Sequence, residues 1–303
     1  MKTISLFEKR LLVLLLLLAV FSATSISYYD KQNKKVAFAI EQARVKNEKI
    51  RIAFADVNLL AKSAYVLIPD TKQELYTISA NQVRPLASLT KIMTAVVALE
   101  TLPETTKIEI TSEALKEEGD NGLKKGEVWG RNDLIEFMLV VSSNDAAKAI
   151  ELAGGSNFID LMNEKARSLG MINTHYLNSS GLDISKTQAG AYGTARDTAL
   201  LLEYAIKTHP GTFEVSAKEK ITFNPLHGKI HTAINTNPVI ASLPELLASK
   251  TGLTNLAGGN LAIAFGSEEG KTIIAVVLGS SYEGRFLDIE QLSASSHKAL
   301  QVL

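Results

Sequence analysis

Apolar and polar positions fall into three kinds of pattern along this chain. The first is an unbroken apolar run from Leu11 to Phe21, extended by the weakly polar SATSISYY to Tyr29. With that extension it reaches the roughly 20 residues needed to span a membrane. Nothing amphipathic relieves Leu11 to Leu18, which argues against a buried core helix. The second is DKQNKKVAFAIEQARVKNEKIR, charged and free of Gly and Pro, which predicts a helical stalk. The third is a series of compact elements. AYVLIPDTKQELYTIS predicts a hairpin turning at Pro69–Lys72. A helix is expected from about Ser88, and KIEITSEAL reads as a strand running into a helical turn. RNDLIEFMLVV predicts a helix capped at Asn132. SSNDAAKAIELAGG, NFIDLMNEKARSLG and TARDTALLLEYAIKT predict three more. The second of these carries apolar Phe158, Ile159, Leu161 and Met162 and stops at Gly170. Towards the end, ELLASKTG, LAGGNLAIAFGSE and KTIIAVVLGS read as consecutive strands, and FLDIEQLSASSHKALQVL as a helix. A sheet with its helices grouped apart is an α+β fold, or a mixed α/β sandwich.

Composition narrows the choice. The chain has 303 residues, 46% hydrophobic and 21% charged, enough for a large globular core in one domain or two small ones. A formal net charge of zero gives no basic surface for nucleic acid. The lack of cysteine excludes disulfides, thiolate metal sites and a cysteine nucleophile, and leaves the compartment open. Lys2, Lys9 and Arg10 precede the apolar run against one acid, Glu8. That bias keeps the N-terminus cytoplasmic and sends the rest outward. The segment is expected to be an uncleaved anchor. The alternative is a signal peptide cleaved near the small residues Ala23–Ser25. Both export the body of the protein. The expected division is 1–29 anchor or signal peptide, 30–55 stalk, and 56–303 folded domain.

Candidate chemistry begins in PLASLTKIMTAVVALE. Residues i and i+3 share a helix face, so Ser88 and Lys91 point the same way. A serine hydroxyl is a weak nucleophile that needs an adjacent base. A lysine can serve if burial and a second cation bring its pKa down from about 10.4. Leu89, Ile92 and Met93 offer the burial, and the helix N-terminus favours a developing oxyanion. Alone the pair is weak: S-x-x-K recurs at Ser295 and Lys298, and a capping serine beside a snorkelling lysine looks the same. Two further stretches add to it. VVSSNDAA brings Ser142, Ser143 and Asn144, a hydroxyl able to relay a proton and an amide able to hold a carbonyl or the lysine. Ser and Asn are also ordinary helix caps. ASKTGLT brings Lys250, Thr251, Gly252, Leu253 and Thr254. Here Lys and Thr can bind a carboxylate and Gly lets substrate approach the backbone, unless it is a plain strand with a glycine.

Serine with lysine, then S-x-N, then K-T-G, in that order, is the signature of penicillin-recognising serine enzymes. The sequence resembles the low-molecular-weight penicillin-binding proteins, the serine D-alanyl-D-alanine carboxypeptidases. The resemblance runs from about Lys62 to the end, through ASLTKIMTA, LKKGEVW, SSNDAA, NSSGLD, TARD, KTGLTNLAGGNL and LGSSYEGR. It implies a β-lactamase/transpeptidase-like fold, an antiparallel sheet flanked by helices with an all-helical subdomain. It implies Ser88 as acylated nucleophile, Lys91 as general base, and Ser142 as a third catalytic residue. Asn144, Lys250, Thr251, Gly252, Leu253 and Thr254 would line the substrate site. The N–H groups of Ser88 and Leu253 would form the oxyanion hole, and Arg285 would help hold a carboxylate. The implied substrates are peptidoglycan stem peptides ending in D-Ala-D-Ala, and β-lactam antibiotics would be covalent inhibitors. The implied chemistry needs no metal or cofactor. Family members often add a small β-rich domain and a C-terminal amphipathic anchor; here the anchor is expected at the N-terminus.

Rival readings remain. A D,D-endopeptidase would use the same residues. A serine β-lactamase of the related type carries E-x-x-L-N, whereas Glu164 is followed by Lys-Ala-Arg. A membrane-tethered wall-binding protein with an inactive site is the non-enzymatic alternative. Neither G-x-S-x-G nor H-E-x-x-H occurs. His227 and His231 are expected in a loop or strand, since Pro225 and Gly228 argue against a helix, and His175 is expected to be structural. Asp183 and Asp197 read as helix caps or fold-stabilising residues.

Overall fold

The computed structural model describes residues 5–119, 122–267 and 270–301; Lys2, counted among the leading cations, lies outside them. The chain forms two compact units that divide after Ile52, inside the expected stalk.

The first unit is helical. One uninterrupted helix, α1 (Leu6–Ala53), runs through both the apolar run and the charged stretch. Every large side chain from Leu11 to Leu18 is exposed, and the helix is long and apolar enough to cross a membrane. Its polar half carries Lys34–Asp30, Arg44–Glu41 and Arg51–Glu48 ion pairs at helical spacing. Exposed pairs of this kind are screened by water and add little to stability.

The second unit is built on a five-stranded sheet. β1 (Ser63–Ile68) and β2 (Gln73–Ile78) form the expected hairpin. β3 (Leu246–Thr254), β4 (Gly258–Phe265) and β5 (Ile273–Ser280) follow almost consecutively. The order is β3-β4-β5-β1-β2, antiparallel throughout, with Tyr65 opposite Val276 where the two parts of the chain meet. Both faces are covered, which is why β1 and β5 read as continuous apolar runs instead of alternating ones. Tyr65, Leu67, Ile274, Val276 and Leu278 face the main core. The positions between them are equally buried, on the face where α7 (Gly284–Leu300) packs.

The main core continues into the helices α2 (Thr90–Thr101), α3 (Arg131–Val141), α4 (Asn144–Gly154), α5 (Phe158–Ser168) and α6 (Ala195–Thr208). Ser143 caps α4, its Oγ accepting from the Ala146 N–H at 3.1 Å, and Thr194 caps α6 from Asp197 N–H at 3.0 Å. Asn132 is not the cap of α3. The cap is Gly130, in extended conformation, two residues earlier, and the helix begins at Arg131, whose Nη1 donates to the Leu99 and Leu102 carbonyls at the end of α2. Asn132 accepts from Arg131 Nε instead. The α+β architecture is as the pattern predicted. The ribbon Lys220–Phe223/His231–Ile234 comes from a stretch with no strong periodicity.

Candidate active site

The three motif stretches meet at the edge of the sheet. Ser88 lies in a 3-10 turn, Ala87–Leu89, that leads directly into α2. Lys91 is in the first turn of α2, and the expected i,i+3 pairing places its Nζ 2.8 Å from Ser88 Oγ. Ala87 sits at φ +48°, a left-handed backbone that a side-chain-bearing residue adopts only under constraint. Part of that constraint is Gly181. A Cβ there would lie 1.9 Å from the Ala87 carbonyl oxygen, so only glycine lets the segment Asn178–Asp183 pass so close.

Lys91 is fully buried. Its Nζ also lies 2.7 Å from Asn144 Oδ1 and 2.9 Å from the Ser180 carbonyl oxygen. Asn144 Nδ2 donates to the Glu118 carbonyl at 2.6 Å, which turns Oδ1 toward the lysine. Both oxygens can only accept. A neutral amine has two N–H donors and one lone pair. Donating to Asn144 and Ser180 leaves the lone pair for the Ser88 hydroxyl proton. The electrostatics favour that state: burial, and then the Lys250 charge, hold the Lys91 pKa well below the ordinary lysine value, against a smaller opposing pull from Glu117.

The facing wall is β3, an edge strand. Lys250 Nζ donates to Ser142 Oγ at 2.9 Å and to the Thr251 carbonyl at 3.1 Å. Its pKa is brought down to about 7, by burial first and by Arg285 second. Ser142 ends α3 at φ +62°, the second strained residue of the cleft. Gly252 packs against the Ser88 turn, where a Cβ would approach the Leu86 carbonyl to 3.0 Å. Asn260 on β4 holds the same turn, its Nδ2 donating to the Pro85 and Leu86 carbonyls at 3.0 Å each.

Three expected site residues stand differently from their neighbours. Arg285 is 5% exposed and lies behind β3, with Nη1 donating to the Gly252 carbonyl at 2.6 Å. Its guanidinium sits over the rings of Tyr282 and Phe286. The Thr254 hydroxyl is engaged in a turn, donating to Asp183 Oδ1 at 2.9 Å and accepting from Ala257 N–H at 3.2 Å. The Leu253 side chain is half exposed at the open end of the strand. Asp183 is thus a loop-to-strand tie and not a helix cap, with its other oxygen on Leu256 N–H. Asp197 accepts from Thr174 Oγ1 and Asn173 N–H while Thr194 does the capping. His231 donates Nε2–H to the buried Glu127 carboxylate, and His175 is exposed on a two-residue strand. The second S-x-x-K lies on α7 with Lys298 exposed.

A half-buried serine paired with a fully buried lysine, facing a second lysine on an edge strand, is the geometry to set beside known families. A family model described as D-alanyl-D-alanine carboxypeptidase matches residues 47–282. The chain belongs to this carboxypeptidase family. D-alanyl-D-alanine carboxypeptidase DacF of Bacillus subtilis is 33% identical over 235 residues, 73% of this chain and 58% of the relative. A D-alanyl-D-alanine endopeptidase of Pseudomonas aeruginosa is 33% identical over 66% of this chain and 65% of its own. The chain therefore spans less than two thirds of these relatives. Among solved structures, penicillin-binding protein D2 of Listeria monocytogenes in its ampicillin-bound form superposes with a TM-score of 0.69 at 31% identity. It covers 79% of this chain, which in turn covers 98% of it. The three stretches that carried the resemblance, around Ser88, Ser142 and Lys250, lie within the matched residues and converge here.

Sequence reasoning missed three parts of the site. The Ser180 carbonyl has no side-chain signal, although NSSGLD around it was already marked by the resemblance. Gly181 lies in the same run, but the close approach to the Ala87 carbonyl that requires it exists only in the folded chain. Thr236, hydrogen-bonded to Thr251, belongs to no motif that was singled out.

Proposed function

We propose that this chain is a serine D-Ala-D-Ala carboxypeptidase acting through a Ser88 acyl-enzyme. The observation that carries the reading is Lys91, buried and held as a neutral amine with its lone pair on Ser88. Ser88 Oγ attacks the carbonyl of the penultimate D-alanine while its proton passes to Lys91 Nζ. The oxyanion is met by the N–H groups of Ser88 and Leu253. Collapse breaks the peptide bond, and the proton reaches the leaving amine through the Ser142 hydroxyl, which bridges toward Lys250. D-Alanine departs. Water then attacks the ester, giving its proton to Lys91 and restoring the Ser88 hydroxyl. The substrate carboxylate lies against Lys250 and Thr251, with Arg285 adding positive potential from behind the strand and Asn144 lining the opposite side.

The Pseudomonas relative named as an endopeptidase supports a second use of the same machinery, cleavage of cross-linked peptides. The reading of location rests on α1. Lys9 and Arg10 lead an apolar run long enough to cross a membrane, which supports export of the folded domain, tethered by that helix or released if the segment is cleaved as a signal peptide. β-Lactams, as stem-peptide mimics, acylate Ser88.

The test is labelling of the ectodomain with a fluorescent penicillin beside Ser88→Ala. A covalent band that the variant loses, followed by D-alanine release from a stem pentapeptide, is the expected result. A folded wild type that takes no label refutes the acyl-transfer reading and leaves the inactive wall-binding protein. Release of cut dimers without D-alanine selects the endopeptidase.

A further inference from the structure

The carboxylate pocket has a wall that none of the motifs supplies. Thr236 Oγ1 lies 2.6 Å from Thr251 Oγ1, and the Thr236 N–H donates to the Val140 carbonyl at 3.2 Å. Val140 is two residues before Ser142. Thr236 therefore bridges the end of α3 and the strand that carries Lys250 and Thr251.

Its setting is heavily framed for a single half-buried residue. Asn235 Nδ2 donates to the Ser216 and Lys218 carbonyls, at 2.8 and 3.0 Å. Asn237 Nδ2 donates to Ser249 Oγ at 3.0 Å, next to Lys250, and Ser249 N–H donates to Ser216 Oγ at 3.0 Å. Asn237, Ser249 and Ser216 are all buried. Two asparagines thus clamp the residue between them, and the hydroxyl is what the clamped residue presents to the strand.

We propose that Thr236 is a positioning residue that orients the Thr251 hydroxyl, and so sets the preference of the cleft for a ligand with a free carboxylate. This rests on the acyl-transfer reading above. One of two hydroxyls in contact must donate and the other accept. When Thr236 donates to Thr251, the Thr251 proton is released toward the pocket and meets an anionic oxygen as a charge-assisted hydrogen bond. Thr251 is 5% exposed, so it has little access to water for that role. Thr254, the other threonine of the stretch, is tied to Asp183 and cannot substitute. An ester or amide in place of the carboxylate gains less from that proton, so the device discriminates by charge.

The experiment compares acylation of Ser88 by benzylpenicillin and by its methyl ester, followed by intact-protein mass, in wild type, Thr236→Val and Thr236→Ser. Valine keeps the shape and removes the hydroxyl; serine keeps the hydroxyl. The acid-over-ester preference is expected to fall about tenfold in the valine variant, the loss of one charge-assisted hydrogen bond. Serine is expected to restore it to within about twofold. If the valine variant does not fold, Thr236→Ala takes its place in the same comparison. Acid and ester rates that fall in proportion, or a serine variant that behaves like valine, would show a purely structural role and overturn the proposal. A wild type that neither compound acylates overturns the acyl-transfer reading itself, before any variant is compared.

Discussion

Two regions of this protein bury ionisable groups, and they do it in opposite ways. Beside the ribbons, the Glu127 carboxylate is 4% exposed and fully partnered. It accepts from His231 Nε2 at 3.0 Å, from Trp129 Nε1 at 3.4 Å and from the Lys124 N–H at 3.2 Å. Trp129, Phe137 and Phe223 pack around the pair. In the cleft, Lys91, Lys250 and Arg285 are each 5% exposed or less, and neutral hydroxyl and carbonyl oxygens are their hydrogen-bond partners. A buried carboxylate whose oxygens are met by N–H donors serves structure. Buried basic groups gathered around neutral oxygens lower each other's proton affinity, which is a means of keeping a lysine unprotonated at neutral pH. The first arrangement is worth stability and the second is worth reactivity.

That contrast can be broken most sharply at Lys91. Lys91→Met is expected to slow acylation by about 10²–10⁴-fold, the share of a general base. Stability should change by less than about 1 kcal/mol, because relief of desolvation offsets lost hydrogen bonds. Stopped-flow acylation beside urea denaturation measures both. At the other pole, Glu127→Ala leaves His231 and Trp129 donors buried and unpaired. A loss of about 3 kcal/mol in stability is expected, with penicillin acylation of the folded fraction unchanged. An equal effect on acylation rate would erase the distinction between the two regions.

The smallest effect is in the pH profile of kcat/KM. Lys250 must be charged to hold a carboxylate, and its pKa of about 7 means that charge is lost as pH rises through 7. The alkaline limb should therefore descend from near pH 7, approaching tenfold per unit above it. Lys91 must be neutral, so the acid limb appears where falling pH protonates it, well below the ordinary lysine range. Lys250→Arg, charged throughout, should flatten the alkaline limb and leave the acid one. An alkaline limb unmoved by that change would assign it to another group.

What could be read without coordinates was whatever depends on neighbours in sequence. The β1–β2 hairpin, the four helices from α3 to α6 and the terminal strands follow from local periodicity and turn chemistry. The Ser88–Lys91 contact is legible for the same reason, since three residues along a helix is one turn. The cap of α3 was misplaced because Arg131 answers to carbonyls about 30 residues earlier, a demand that no local rule encodes. The cleft itself is decided by closure of the chain over longer distances. Lys91 meets the Ser180 carbonyl 89 positions away, and Lys250 meets Ser142 at 108. A backbone carbonyl carries no residue identity, so the sequence could not announce it as a partner of the base. Thr236 is silent for a related reason: one threonine among many becomes part of the pocket only when β3 is folded back against the end of α3. Residue types and their order determined which chemistry was available; the packing of an edge strand against a helix start decided which atoms would carry it, because it brings Lys91, Lys250 and Arg285 together out of water, where burial lowers the proton affinity of each.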